Sequence, residues 1–271
     1  MCSSDLGNPL PAGALDTMAI SWASYGPKRG IYRILDALGA HKARASVMTN
    51  AIVAERAPEA VRAVADAGHE VLSHSYTMDV IPALLSAEDN RKNIERCSLL
   101  LERASGKQVY GWLSPRGTSG PDLPGLLADA GYKWYGDVFD DDLPYVQTVG
   151  GKKLVAIPLA TDVNDMPFMK YGNPPKLMLD SFEENLAVAR AKPGTPSVID
   201  VTVHAHIFGR PRGAYYFEKI VERARGLRTK TSQRRRLARG LPADRLPGEG
   251  QRDSDGDDRD DRFDMGGEDM R

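Results

Sequence analysis

Gly68-His69-Glu70-Val71-Leu72-Ser73-His74-Ser75-Tyr76 is the stretch whose reading decides the fold. It follows a helix-spaced run, reads as a short strand, and places His74 at that strand's carboxyl end. In α/β folds that is where metals and substrates bind. A second cluster, Val203-His204-Ala205-His206, ends another apolar β-type run far away in sequence. Whether the two strand ends share one site is the question the sequence poses.

Upstream of the stretch, Ile31, Ile34, Leu35 and Leu38 have helical spacing between Gly30 and Gly39. Ala45–Thr49 reads as a strand closed by Asn50, and Pro58–Ala67 as a helix with Pro58 in its first turn and Gly68 as its stop. Downstream, Ser86–Ala104 reads as a long helix ended by Gly106, with Ser86 as cap and Asp89 at capping-box spacing. Strands are expected at Val109–Leu113, Lys133–Asp137, Leu154–Leu159 and Val198–Val203, and helices at Pro121–Ala130, Ser181–Ala191 and Tyr215–Ala224. This alternation with Gly-marked turns predicts an α/β fold, either a parallel sheet or a (β/α) barrel.

The 271 residues suffice for one barrel-sized domain plus tails. Lys plus Arg (36) balances Asp plus Glu (37) to a net charge of −1, which gives no electrostatic case for nucleic acid. No apolar run approaches ~18 residues, so no membrane span is expected. The chain does not open with a basic region followed by an apolar core, the mark of a signal peptide. Cys2 and Cys97 do not suggest a disulfide framework, and a reducing cytoplasm is the expected compartment.

Residues 1–14 read as a disordered leader, with Met1–Leu6 foreign to the domain. On that reading the domain starts abruptly near Leu15 and lacks an N-terminal strand. It is expected to run over 15–228, followed by a disordered charged tail at 229–271, basic at Arg234-Arg235-Arg236 and acidic over Asp253–Asp264. The acidic run is not a calcium loop of the EF-hand type, because Gly256 is in the wrong place.

Several polar residues fall just after strands. His74 is a candidate metal ligand, set against a histidine hydrogen-bonded near a turn. His204 and His206, two apart on an expected strand, would face the same way, as a metal pair or as one acid/base group with a neighbour. Arg210 lies in the turn that follows. Arg116, in Ser114-Pro115-Arg116-Gly117, can orient a carboxylate or a carbonyl through its planar donors. Asp140-Asp141-Asp142 offers at least one carboxylate to accept a proton, bind a metal or hold Arg116, with a solvated loop as the plain alternative. His41 and His69 are assigned to structure. Trp22, Tyr25, Trp112 and Tyr145 are candidates to line a groove, against packing as the commoner role.

In this order the motifs resemble the polysaccharide deacetylase (NodB-homology) family, nearest its allantoinase-like branch. The matching segments are Tyr25-Gly26 with Gly30–Asp36, Ala45–Asn50, Ala67–Val71 with Ser73-His74, Gly111–Arg116, Asp140–Tyr145, and His204 with Ile207 and Gly209-Arg210-Pro211. The resemblance implies a distorted (β/α) barrel and hydrolysis of a carbon–nitrogen bond other than a peptide bond. That means deacetylation in carbohydrate metabolism or cleavage of a small amide or ureide. It also implies a divalent metal, zinc by preference, that polarises a carbonyl and activates water.

Carried onto this sequence, the resemblance makes His74 the first metal histidine, with Asp79 as a substitute second ligand. His204 becomes the general acid toward the leaving nitrogen, and Arg116 orients the catalytic carboxylate. The resulting assignment takes His204, Arg116 and Asp141 as catalytic. Tyr76, Trp112, Asp142, Tyr145, His206 and Arg210 are assigned to substrate.

Two departures stand out. The family's second metal histidine falls four residues after the first, where this chain has Met78, a poor ligand for such a metal. The family's aspartate pair before the Tyr-Gly segment has no counterpart here, since only Asp5 and Asp16 precede Tyr25. The alternative reading is therefore a non-catalytic barrel that binds a carbohydrate or an amide, or an inactive fragment of such an enzyme. The expected partner is a small-molecule or glycan substrate, with no nucleic acid and no membrane. Family members often associate, so homo-oligomers are open, and the loop Thr161–Pro175 is either an interface or a lid.

Overall fold

The computed structural model describes residues 14–226. The expected leader, apart from residue 14, and the expected tail lie outside those residues. The helices are α1 (Thr17–Tyr25), α2 (Ile31–Ala40), α3 (Ala51–Arg56), α4 (Pro58–Asp66), α5 (Ala87–Ser105), α6 (Leu123–Asp129), α7 (Asp165–Lys170), α8 (Lys176–Ala191) and α9 (Pro211–Gly226). The strands are β1 (Ser46–Thr49), β2 (Glu70–Ser73), β3 (Gly111–Trp112), β4 (Trp134–Tyr135), β5 (Tyr145–Val149) and β6 (Lys152–Ala156). A π-helical turn, Gly26–Gly30, joins α1 to α2. Among the described residues no helix is long and apolar enough to cross a membrane.

The strands form one sheet in the order β1-β2-β3-β4-β6-β5. All neighbours are parallel except the β5–β6 pair, which is antiparallel. The fold is therefore α/β with a mostly parallel sheet, as the alternation of elements predicts. The period of two along each strand divides the core. Val71, Trp112, Tyr135, Leu154 and Ala156 face the layer containing α3, α4 and α5. Their neighbours Leu72, Leu113, Trp134, Val155 and Ile157 meet each other on the opposite face, with Met48 beside them. Helices covering one face while the other face packs on itself is what a curved barrel sheet requires. A third cluster holds α2, α8 and α9 together through Ile34, Leu38, Met178, Phe182, Phe217 and Ile220.

The local signals act as expected at several places. Ser86 Oγ accepts from the Asp89 amide at 3.1 Å and donates to the Asp89 carboxylate at 2.7 Å, which closes the start of α5. Gly106 ends that helix in the left-handed region, where a side chain would be strained. His69 is buried with its Nδ1 facing the Ala45 amide, a structural role.

Three expectations change. Val198–Val203 is not a strand: only Thr202 pairs, through one parallel bridge to Asn164. The stretch between Asp142 and Lys152 is a strand, β5, turned back by Gly150-Gly151. The loop Thr161–Pro175 contains α7, and its Met166, Phe168 and Met169 are half-buried against the core, so that part of it is not a free lid. Tyr171 alone of its large apolar side chains is widely exposed.

Gly111 shows how tightly the sheet is built at the site end. A Cβ there would come within 2.3 Å of two Trp134 ring carbons. Trp134 is fully buried and its Nε1 donates to Glu70 at 3.2 Å, so the ring has no room to retreat. Gly111→Ala is expected to lower the unfolding free energy by about 1–3 kcal/mol, as overpacking does. A urea denaturation midpoint moved downward with an unchanged slope is the expected reading.

Candidate functional site

Four strand ends are laced together at the carboxyl side of the sheet. The His74 amide donates to the Thr49 carbonyl at 3.0 Å, and the Asn50 side chain donates to the His74 carbonyl. His74 Nδ1 lies 2.6 Å from the Leu113 carbonyl, which must receive a proton from it, so Nε2 keeps the free lone pair. The next residue on that strand end, Ser114, donates its amide and its hydroxyl to Asp137, each at 2.6 Å. Trp112 Nε1 in turn donates to Ser114 Oγ at 2.9 Å. These bonds run β1 to β2 to β3 to the loop after β4; they hold the His74 main chain on one side and its Nδ1 on the other.

His204 arrives from the other end of the chain. Thr202 pairs with the 163–165 segment: its amide donates to Val163, and the Asp165 amide donates to the Thr202 carbonyl. This sets Asp165, at the first turn of α7, under His204. The Asp165 carboxylate is wholly buried and accepts twice, from the His204 amide at 2.8 Å and from Nδ1 at 2.6 Å. The second bond fixes the tautomer, with the proton on Nδ1 and the lone pair on Nε2, and the His204 side chain is 34% exposed. A buried carboxylate holding an imidazole this way stabilises the imidazolium when the ring takes a proton. Asp165 was not among the sequence candidates. Its signal was local: Asn164 as cap, Asp165 next, Pro167 within the first turn.

His206 lies beside His204, ring centroids 5.7 Å apart and nearly perpendicular. The two are not on a strand. Residues 205–209 form turns, and the turn rather than strand alternation brings the rings together. Its Nε2 is shielded and has no partner among the described residues. Arg210 donates Nε to the His206 carbonyl at 3.1 Å and lies over the Trp22 and Tyr25 rings, 4.2 Å from each centroid. Arg33 donates to the Tyr25 hydroxyl and to the Gly209 carbonyl, tying α1 to this turn. The approach is close: a Cβ on Gly30 would sit 1.8 Å from the Ala205 carbonyl oxygen, and one on Gly209 would sit 2.1 Å from it.

The electrostatics follow from shielding. Burial pushes His74 down to about 4, partly offset by the Leu113 bond and reinforced by charge on His204. Burial and the charges of His204 and Arg210 likewise bring His206 down to about 4. Burial pushes the Asp137 carboxyl up to about 6 against its two Ser114 bonds. Asp137, also absent from the sequence candidates, is thus a carboxyl at the site that titrates near neutrality.

The other sequence candidates spread out. Arg116 is exposed in a left-handed turn (φ 61°); its carbonyl accepts from the Thr118 hydroxyl at 3.1 Å, and its guanidinium has no polar partner among the described residues. Asp141 is exposed and accepts from the Leu143 amide of its own turn at 3.0 Å, while Asp142 is exposed beside it. The Tyr145 hydroxyl donates to Asp140, and burial with that carboxylate raises its pKa. Tyr76 turns toward the helices: its hydroxyl donates to Glu55 at 2.9 Å and Arg96 stacks on its ring. Trp112 is a correction. Its ring has no exposed surface and packs edge-on to Tyr132 in the helix-facing core, so it holds Ser114 but meets no substrate.

The donor set for a metal is incomplete. Among the described residues no three His, Cys, Asp or Glu side chains are grouped to hold an ion. His74 is prepared on one side, with Nδ1 engaged and Nε2 free. However, Met78 stands four residues on, and Asp79 is exposed, with Thr77 hydrogen-bonding its carboxylate and lowering its pKa. These residues do not compose the three-ligand centre that the resemblance implies, so the chemistry considered below uses the chain's own groups.

Residues 23–135 match the polysaccharide deacetylase family. Among solved structures, a probable polysaccharide deacetylase from Pseudomonas aeruginosa PAO1 gives a TM-score of 0.79 at 24% identity, over 87% of this chain and 79% of that one. Puue allantoinase gives 0.77 at 26% identity, over 84% and 76%. A putative polysaccharide deacetylase from Mycobacterium smegmatis gives 0.75 at 24% identity, over 82% and 80%. No curated protein matches. The resemblance read from the sequence is borne out, including its allantoinase side. The mostly parallel sheet with its helices is the NodB-type (β/α) arrangement of these neighbours, and the likenesses support an enzyme of the amide-hydrolase class.

Two measurements test this geometry. Histidines kept neutral in the fold but free to charge when unfolded favour unfolding as pH falls. Stability from His206 is therefore full above about 6.5 and is lost as pH drops toward about 4; Asp137, shifted upward, opposes this with one group against two histidines. The unfolding free energy should fall from pH 7 to pH 5, and His206→Gln should shrink that fall by on the order of 1 kcal/mol. Arg116→Asn should raise stability by up to about 1 kcal/mol, because asparagine tolerates the left-handed region better. Chemical denaturation at fixed pH reads both.

Proposed function

We propose that the chain hydrolyses a carbon–nitrogen bond other than a peptide bond, in a small ureide-like amide or an N-acetylated sugar. The observation that carries this reading is the Asp165–His204 pair, partly exposed and near enough to His74 for its charge to act there. Water attacks the carbonyl carbon while His204 Nε2 accepts its proton. The tetrahedral oxyanion forms on the face where Arg116 is exposed, which supplies positive charge. His204, held as imidazolium by Asp165, then gives the proton to the departing nitrogen as the carbon–nitrogen bond breaks. One C–O bond forms, one C–N bond breaks, and the proton moves from water to nitrogen. His74, neutral near pH 7, accepts a hydrogen bond at Nε2 from the attacking water or from the substrate amide. Buried, thiol-bearing Cys97 agrees with work in a reducing cytoplasm.

A second reading has a specific observation behind it. Met78 and the incomplete donor set favour a barrel that binds an amide without cleaving it. Activity assays separate the two. On the hydrolytic reading, His204→Ala should lower kcat/KM by about 10²–10⁴-fold, with ligand affinity little changed. Removing divalent metal with a chelator should leave the rate of the untreated protein unchanged. Loss of rate on chelation with recovery on adding zinc would assign water activation to a metal instead. Ligand binding with no hydrolysis by the unaltered protein would establish the binding reading.

A further inference from the structure

The cluster around Arg210 is built for an anion. Its guanidinium lies over the Trp22 and Tyr25 rings at 4.2 Å and spends Nε on the His206 carbonyl. Its terminal amino groups have no partner among the described residues. Trp22 Nε1, a donor, and His206 Nε2 are both shielded and also unpartnered among the described residues. Trp22 and His206 both contact the same cation, and Arg33 braces the assembly by binding the Tyr25 hydroxyl and the Gly209 carbonyl. The turn packs closely on the segment that enters α2, where Gly30 and Gly209 meet with no room for a Cβ, and the Arg33 bond to the Gly209 carbonyl ties the two. A guanidinium fixed by stacking, with its fork free and an N–H beside it, matches a carboxylate in shape and charge. It adjoins His206, whose ring centroid is 5.7 Å from that of His204.

We propose that Arg210, with Trp22 Nε1 and His206 Nε2, binds the carboxylate of a small acyl- or carbamoyl-amino acid whose scissile amide reaches His204. This rests on the reading of His204 as the reacting centre only for the amide end; the carboxylate site stands on its own contacts. Between the two substrate classes proposed above, it selects the small anionic amide over a neutral N-acetylated sugar.

Binding of N-carbamoylglycine and of its neutral primary amide, measured by calorimetry on the full chain, tests this. The carboxylate should bind at least about 10-fold tighter, as a charge-assisted bidentate contact gives. Arg210→Gln should reduce that preference to under about 3-fold, and Trp22→Phe, which keeps a stacking ring but removes the N–H, should weaken carboxylate binding about 3- to 10-fold. If Arg210→Gln fails to fold by circular dichroism, Trp22→Phe decides. His204→Ala should keep the full preference. Equal binding of the two probes by the unaltered protein overturns the inference, as does a preference that survives Arg210→Gln. Carboxylate preference without turnover of either probe would remove the hydrolytic reading and leave this one standing. Turnover of amides with no charge preference would do the reverse.

Discussion

A carboxylate with no exposed surface must be paired or it does not stay charged, and Asp165 is paired twice with one residue. That constraint organises the site. It holds the backbone of His204 as well as its ring, so the imidazole has neither rotamer nor main-chain freedom. It also explains why α7 exists: Asn164 caps it onto the Met166 amide, and the single bridge from Asn164 to Thr202 aligns the two segments. Removing one partner of such a buried pair is far more damaging than the pair is stabilising. The arrangement is therefore better understood as fixing geometry than as holding the fold together.

The opposite wall is made differently. No buried ion pair holds His74; a relay of backbone and hydroxyl groups does, from Thr49 through Leu113 and Ser114 to Asp137. Two of the residues just past these strand ends, Ser75 and Arg116, have positive φ without being glycine. Ser75 is compensated, because its hydroxyl donates to the Val80 carbonyl and receives from Asn93. Arg116 has only the Thr118 hydroxyl on its carbonyl, at 3.1 Å, and its strain sits where the side chain is free to meet a ligand. One wall is thus rigid by charge, the other by a hydrogen-bonded lattice with a single strained and open member.

Much of this was legible in the residues. The β2 stretch, the capped start of α5 and its glycine stop, and the motif order gave the α/β class and singled out His74 and His204, while leaving open whether they share a site. What could not be read has physical causes. Asp165 lies 39 residues from its partner in sequence, in a segment with no apolar period, so only tertiary pairing reveals it. Asp137 looked like the end of a strand and drew less notice than the acidic run after it. Yet burial gives Asp137 its altered chemistry, while exposure leaves Asp141 and Asp142 as loop residues. Trp112 was misplaced because the alternation expected along Val109–Leu113 does not say which of its faces meets the helices. The β5–β6 hairpin carried a visible sign in Gly150-Gly151, a turn pair between two β-type runs.

The contact between Gly30 and Gly209 has a further meaning for how this chain can change. Each glycine is pinned by the same Ala205 carbonyl oxygen and, for Gly209, by the other's backbone. Because the obstacle is main chain, no second substitution nearby can make room for a first. The two positions cannot compensate for each other, and drift at either is closed off. Variation on this side of the site is left to the aromatic rings and charges above the joint, so a related chain could acquire a different ligand preference there without altering the joint itself.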